Sequence, residues 1–211
     1  MLKCGFGIKD APRLWQQALR KLLLKAGLRS LQADEQMYVL FHNDKLQLLV
    51  STHVDDLKGA GEKWARDHLI KILEEAVGKL KTQFGTFECI GVQHVQNPDM
   101  SVWMHQHHYV PALKEMGELQ YATAQDTDDV STVYHGAYMS LLGGVAWLTQ
   151  TMVAIAIYVV FLQRHAKTPK VYHVRALNRL LRWIRIILPS LGLLYKRLEP
   201  PIRLALVTDC A

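Results

Sequence analysis

The 211-residue sequence is poor in cysteine, in chain-breaking residues and, over one long stretch, in charge. Its three cysteines, Cys4, Cys89 and Cys210, lie far apart, form no CxxC pair and are odd in number. That excludes a disulfide-stapled miniprotein; the cysteines read as buried or free thiols in a reducing compartment, so the expected location is intracellular, cytoplasm or nucleus. With 13 glycines and 7 prolines the chain is not collagen-like, and 50% hydrophobic against 21% charged residues excludes disorder. The N-terminal MLKCGFGIKDAPRLW lacks the apolar core of a signal peptide. No internal repeat is visible, and the length allows one large domain or two small ones.

The formal charge of +6 is unevenly distributed. Residues 1–114 are net +3, residues 115–163 carry five acids and no Lys or Arg, and residues 164–211 carry ten bases and two acids, net +8. A basic end beside a charge-poor middle points to an anionic partner, and nucleic acid and an anionic membrane surface both fit that charge.

Helical and strand periods alternate along the chain. Pro12 suits the first turn of a helix that runs through Arg13–Ala26 and stops at Gly27, with Leu19, Leu22, Leu23 and Ala26 on one face. Met37–His42 and Lys45–His53 are β-rich runs around Asn43-Asp44, which predicts a hairpin with a two-residue turn. Val54-Asp55-Asp56 then leads into Gly59 and Gly61. From Glu62 to Val77 the spacing of Ala65, Leu69, Ile72, Leu73 and Ala76 predicts another helix. Short strands are expected over Leu80–Tyr109, with a turn at Asn97-Pro98-Asp99, and an acidic linker over 117–135. A helix is expected over Val174–Ile187 and a strand over Ile202–Val207.

Asp55-Asp56, at the end of a hairpin strand, is the sharpest chemical feature. Adjacent carboxylates gather hard oxygen ligands at a cost in mutual repulsion, which a divalent cation such as Mg²⁺ relieves. In nucleotidyl transfer such carboxylates hold metals that activate the attacking hydroxyl and stabilise the leaving pyrophosphate. Taken alone, Asp-Asp ahead of glycines also suits an ordinary solvated turn.

The surroundings favour the metal. Gly7-Ile-Lys-Asp-Ala-Pro-Arg-Leu-Trp15, then Ala33-Asp34, then His53-Val-Asp-Asp56 resemble the copia-type reverse transcriptases of LTR retrotransposons, which read GLKQAPRxW, xADxxLF and a hairpin ending in YVDD. Downstream, Leu80–Val92 resembles the family's LGxxxxFLGIxI and Met104–Val110 its LSQxxYI. Tyr138–Trp147 is similar to YRSLIGSLLYL, His173–Ile184 to HWxAAKRILRYLKGT, and Leu206–Ala211 to the YSDADWA that opens the attached ribonuclease H.

The resemblance implies an α+β fold: a partial palm over 1–78, a helical thumb and connection region over 79–200, and the first strand of a ribonuclease H-like domain over 201–211. It assigns Asp55 and Asp56 to a Mg²⁺-dependent polymerase site and Asp209 to the first ribonuclease H metal carboxylate. Gly7, Lys9, Pro12, Arg13 and Trp15 fall to support of nucleotide and template, and an RNA or DNA template-primer becomes the partner. Three departures stand out: His53 replaces Tyr, Asp10 replaces Gln, and Met152-Val-Ala154 replaces Arg-Pro-Asp. An acid at position 10 would repel nucleotide phosphates. The family takes a third carboxylate from a strand preceding GLKQAPR, and this sequence begins at that motif. The expectation is a fragment of a Pol polyprotein, of the nucleotidyltransferase class but inactive by itself, with a sheet edge exposed where further strands belong.

Other signals are weaker. His94, His105, His107 and His108 have no cysteine or carboxylate at a standard zinc spacing and read as exposed strand or loop histidines. Asp126, Asp128 and Asp129 lack the Gly and bidentate Glu of a calcium loop. Arg175, Arg179, Arg182 and Arg185 line one side of a predicted helix, a stripe suited to a phosphate backbone or to plain solvation. The rival reading is a small integral membrane protein, because residues 136–163 contain no Asp, Glu, Lys or Arg and a bilayer needs about 20 residues. Ser140, Gly143, Gly144, Thr149, Gln150 and Thr151 interrupt that run, so no membrane partner is expected.

Overall fold

The computed structural model describes residues 10–117 and 122–199. Its secondary structure is mixed, with helices and two antiparallel four-stranded sheets, an α+β arrangement. The chain divides into two units, Met1–Gln83 and Phe84–Ala211.

In the first unit the order is α1 (Ala11–Lys25), β1 (Arg29–Ser30), β2 (Met37–His42), β3 (Lys45–His53), β4 (Asp56–Gly61) and α2 (Lys63–Val77). Pro12 lies in the first turn of α1, and Gly27 at φ +84° lets the chain reverse just past its C-cap. The β2–β3 hairpin has the predicted bounds, and Asn43 (φ +50°) and Asp44 (φ +57°) both take the left-handed conformation its turn requires. The strands pair in the order β1-β2-β3-β4. Leu19, Leu23 and Ala26 of α1 and its C-cap, Ala65, Leu69 and Leu73 of α2, and the alternate residues Leu48 and Val50 of β3 form one core with Tyr38.

Residues 56–61 have no element assigned from the sequence. They form β4, because the glycines there answer to a close approach of two backbones rather than to a bend. A Cβ on Gly61 would lie 2.2 Å from the Gln47 carbonyl oxygen, so only glycine lets β4 pair this tightly with β3.

The second unit contains β5 (Thr86–Cys89), β6 (Val92–Gln96), β7 (Val102–His105), a 3-10 turn at His107–Ala112, α3 (Thr132–Trp147), α4 (Ala156–Arg164), α5 (Val171–Ile187) and β8 (Leu193–Tyr195). Its sheet order is β5-β6-β7-β8. The helices bury Tyr138, Leu142, Val145, Val159, Leu162, Leu177, Leu181 and Ile184 together. Tyr138 is fully buried and its hydroxyl donates to the Leu162 carbonyl at 3.2 Å; burial pushes its phenol up to about 12.

In this unit the rival membrane reading is not favoured, and two expectations are corrected. The uncharged run 136–163 is two helices parted by 3-10 turns at Leu148–Gln150 and Val153–Ile155, and among the described residues no helix is long and apolar enough to cross a membrane. Of the linker expected over 117–135, residues 126–135 are not free chain. Val130 N–H donates to the Pro169 carbonyl, the amides of Val171 and Tyr172 donate to the carbonyls of Asp128 and Asp126, and α3 begins at Thr132. Finally, α5 starts three residues earlier than expected, where the Lys170 amide donates to Nδ1 of His173 at 2.8 Å. The strand expected over 202–207 lies outside the described residues.

Candidate functional site

The candidate site of the first unit is the turn between β3 and β4. His53 pairs with Asp56, so Val54 and Asp55 are the two loop residues. Val54 has φ +54° and its side chain is 65% exposed. A left-handed conformation costs a β-branched residue about 1–2 kcal/mol, and here little burial offsets it. Such strain persists only where neighbours over-determine the geometry.

One such neighbour is Trp15. Its indole Nε1 donates to the Val54 carbonyl at 3.0 Å, across 39 positions of sequence. Trp15 is half-buried in the second turn of α1, and Pro12 and Arg13 are exposed in the turn before it. Thus α1 supplies a rigid peg and the hairpin turn docks on it. Asp55 and Asp56 leave the turn on its exposed side. The structure brings together Trp15 and the Asp55-Asp56 turn. Gly7 and Lys9 lie outside the described residues, as does Asp209.

The donor set suits Mg²⁺ in part. Both groups are hard carboxylates open to solvent, and Mg²⁺ is commonly held by one or two carboxylates with substrate phosphates completing the shell. Among the described residues, however, no three His, Cys, Asp or Glu side chains converge as a closed metal site.

In the second unit the four arginines all sit on α5, and three are occupied by the chain itself. Arg175 pairs with Asp126 and donates to the Ala124 carbonyl at 3.0 Å. Arg185 donates to Glu115 at 2.7 Å and to the Leu113 carbonyl at 2.6 Å, and Arg182 approaches the other Glu115 oxygen at 3.5 Å. Arg179 is exposed. Asp126 comes from the segment the sequence presents as a linker, and Glu115 lies just before it.

Of the four histidines, His108 is exposed as expected, His105 and His107 are half-buried and His94 is buried. His94 is buried, stacks on Phe87 with centroids 4.8 Å apart and donates from Nδ1 to the Val92 carbonyl. His107 donates from Nε2 to the Leu191 carbonyl at 2.5 Å. His105 stacks on His107, and burial, reinforced by His107 and His108, lowers its pKa. His108 faces Glu88 at 3.6 Å. These rings tie strands and turns together.

Sequence reasoning missed the buried polar groups of α5. Asn178 is 1% exposed; its Oδ1 accepts from the Met116 amide at 2.9 Å and its Nδ2 donates to the Met116 carbonyl at 2.8 Å. His173 is also buried, and burial together with neighbouring His165 lowers its pKa. The available signal was an Asn at an apolar helical position between Leu177 and Leu181. Compared with protein-family models, with curated proteins and with solved structures, the chain matches none.

Proposed function

We propose that the chain is a fragment of a reverse transcriptase of the copia type, with Asp55 and Asp56 as metal-holding carboxylates of a partial palm. The observation that carries this reading is the Trp15 indole on the Val54 carbonyl. It joins the two parts of the sequence that resemble the family's most specific motifs, at the turn where backbone strain is stored. Mg²⁺ held there would neutralise charge on a transferred phosphoryl group. The protein's own part is to present two carboxylates on a turn whose shape α1 fixes, while Pro12 and Arg13 stand at the same helix end. In this reading residues 79–200 are thumb and connection and 201–211 begin a ribonuclease H-like domain; the partner is an RNA or DNA template-primer, approached through the basic C-terminal third, residues 164–211.

Two carboxylates hold a divalent ion weakly, so turnover is not expected from these residues alone. Two measurements test the proposal. Mn²⁺ added to the isotope-labelled chain should broaden the amide signals of residues 53–57 first, and Asp55→Asn with Asp56→Asn should remove that effect; broadening centred elsewhere refutes the assignment. A Mg²⁺-dependent primer-extension assay should show no product. Extension abolished by Asp55→Ala would overturn the fragment reading in favour of a working polymerase.

A further inference from the structure

The path of the acidic segment carries a further inference. Two stretches lie against α5 in reverse order, residues 113–116 toward its C-terminal end and residues 124–128 at its N-terminal end. Arg185 holds Leu113 and Glu115, Arg182 holds Glu115, Asn178 clasps both backbone groups of Met116, Arg175 holds Ala124 and Asp126, and the α5 amides of Tyr172 and Val171 bond Asp126 and Asp128. Carboxylates therefore meet three of the four arginines that would otherwise be spaced to meet phosphates. No acid occurs between residues 130 and 198, so the segment is the counter-charge of this helix within its own stretch of chain.

We propose that residues 113–116 and 124–128 act as an autoinhibitory strap: two stretches that set Glu115 and Asp126 on the basic edge of α5 and must lift before a nucleic-acid phosphate backbone can lie there. This rests on the nucleic-acid reading given above and adds its regulation. The chemistry permits exchange. The arginine side chains are 38–48% exposed and Asp126 is 64% exposed, and exposed ion pairs are weak. A phosphate offers Arg the same bidentate geometry as a carboxylate with more charge. The strap lifts only when several phosphates arrive together, which favours a polymer over a single anion.

The test is binding of a fluorescent single-stranded oligodeoxynucleotide, followed by anisotropy over a range of salt, to the full chain and to Glu115→Gln/Asp126→Asn. Both changes keep an oxygen to accept from arginine and remove the charge. Each exposed pair is worth about a twofold to fivefold preference, so neutralising both acids is expected to tighten binding about tenfold. The salt slope should steepen by about 0.7 for each arginine released, roughly 2 in all. Hydrogen exchange gives a second reading on the unaltered chain: the oligonucleotide should speed exchange of the Met116, Val171 and Tyr172 amides. Equal affinity and slope for the two chains, with exchange unchanged on binding and Arg179→Ala weakening both, overturns the strap and leaves nucleic-acid binding standing. Absence of binding by either chain at low salt overturns both.

Discussion

Asn178→Leu isolates what one buried amide contributes to the second unit. Leu has the same number of side-chain heavy atoms and the same branching, so the substitution changes polarity with little change in volume. It orphans the Met116 N–H and C=O, both buried partners of Asn178 at 2.9 and 2.8 Å. An unsatisfied buried polar group costs about 1–3 kcal/mol, so two cost roughly 2–6. Leu beside Leu177 and Leu181 returns about 1.5–3 kcal/mol of apolar burial. At mid-range the net loss is about 2 kcal/mol, which for a chain of this length lowers Tm by roughly 4–8 °C. Urea and thermal unfolding followed by circular dichroism give the number, with the exposed Arg179→Leu as a control expected within about 0.5 kcal/mol of the parent. If Asn178→Leu unfolds within that same margin, the Met116 bonds are not what holds segment 113–116 to α5, and the strap loses its central fastening.

Four further outcomes follow from the same reasoning. Gly61→Ala should destabilise the first unit by more than about 2 kcal/mol, because its Cβ would lie 2.2 Å from a backbone oxygen that cannot move aside; near-neutral urea unfolding would contradict the reading of β4. Val54→Gly should stabilise by about 1 kcal/mol through relief of left-handed strain, measured the same way. Trp15→Phe should leave the core intact but speed hydrogen exchange at the β3–β4 turn severalfold, since the donor to the Val54 carbonyl is lost while an aromatic ring remains at the position. The fourth is a pH effect. His173 and His105 have folded pKa values below their ordinary 6.5, so the unfolded chain binds more protons. Their contribution is complete above pH 6.5 and is lost as pH falls through the lowered folded values; urea midpoints that fail to drop from pH 7.5 to pH 5 would refute this. His173→Gln, which can still accept from the Lys170 amide, should flatten that acid-side slope.

Much of the architecture was legible from local rules. A Pro near a helix start, a Gly after its end, and Asn-Asp between alternating β-rich runs act within a few residues, so α1, the β2–β3 hairpin and α2 were placed nearly to the residue. The strands β1, β4 and β8 were not, because two or three residues, or a run of Lys-Gly-Ala-Gly, carry no period and become strands only when a neighbour pairs with them. Periodicity likewise could not see that the uncharged run 136–163 is broken at 148–155, since absence of charge says nothing about where a helix ends.

The sequence by itself determined the pairing of two carboxylates, the basic stripe of α5 and the acidic run before α3, because composition and helical spacing are properties of the chain alone. Only the tertiary structure decided what these features face. It set Trp15 against the Val54 carbonyl and laid Glu115 and Asp126 along the arginines. Such contacts join residues 39 to 70 positions apart, and no local period encodes a partner at that distance.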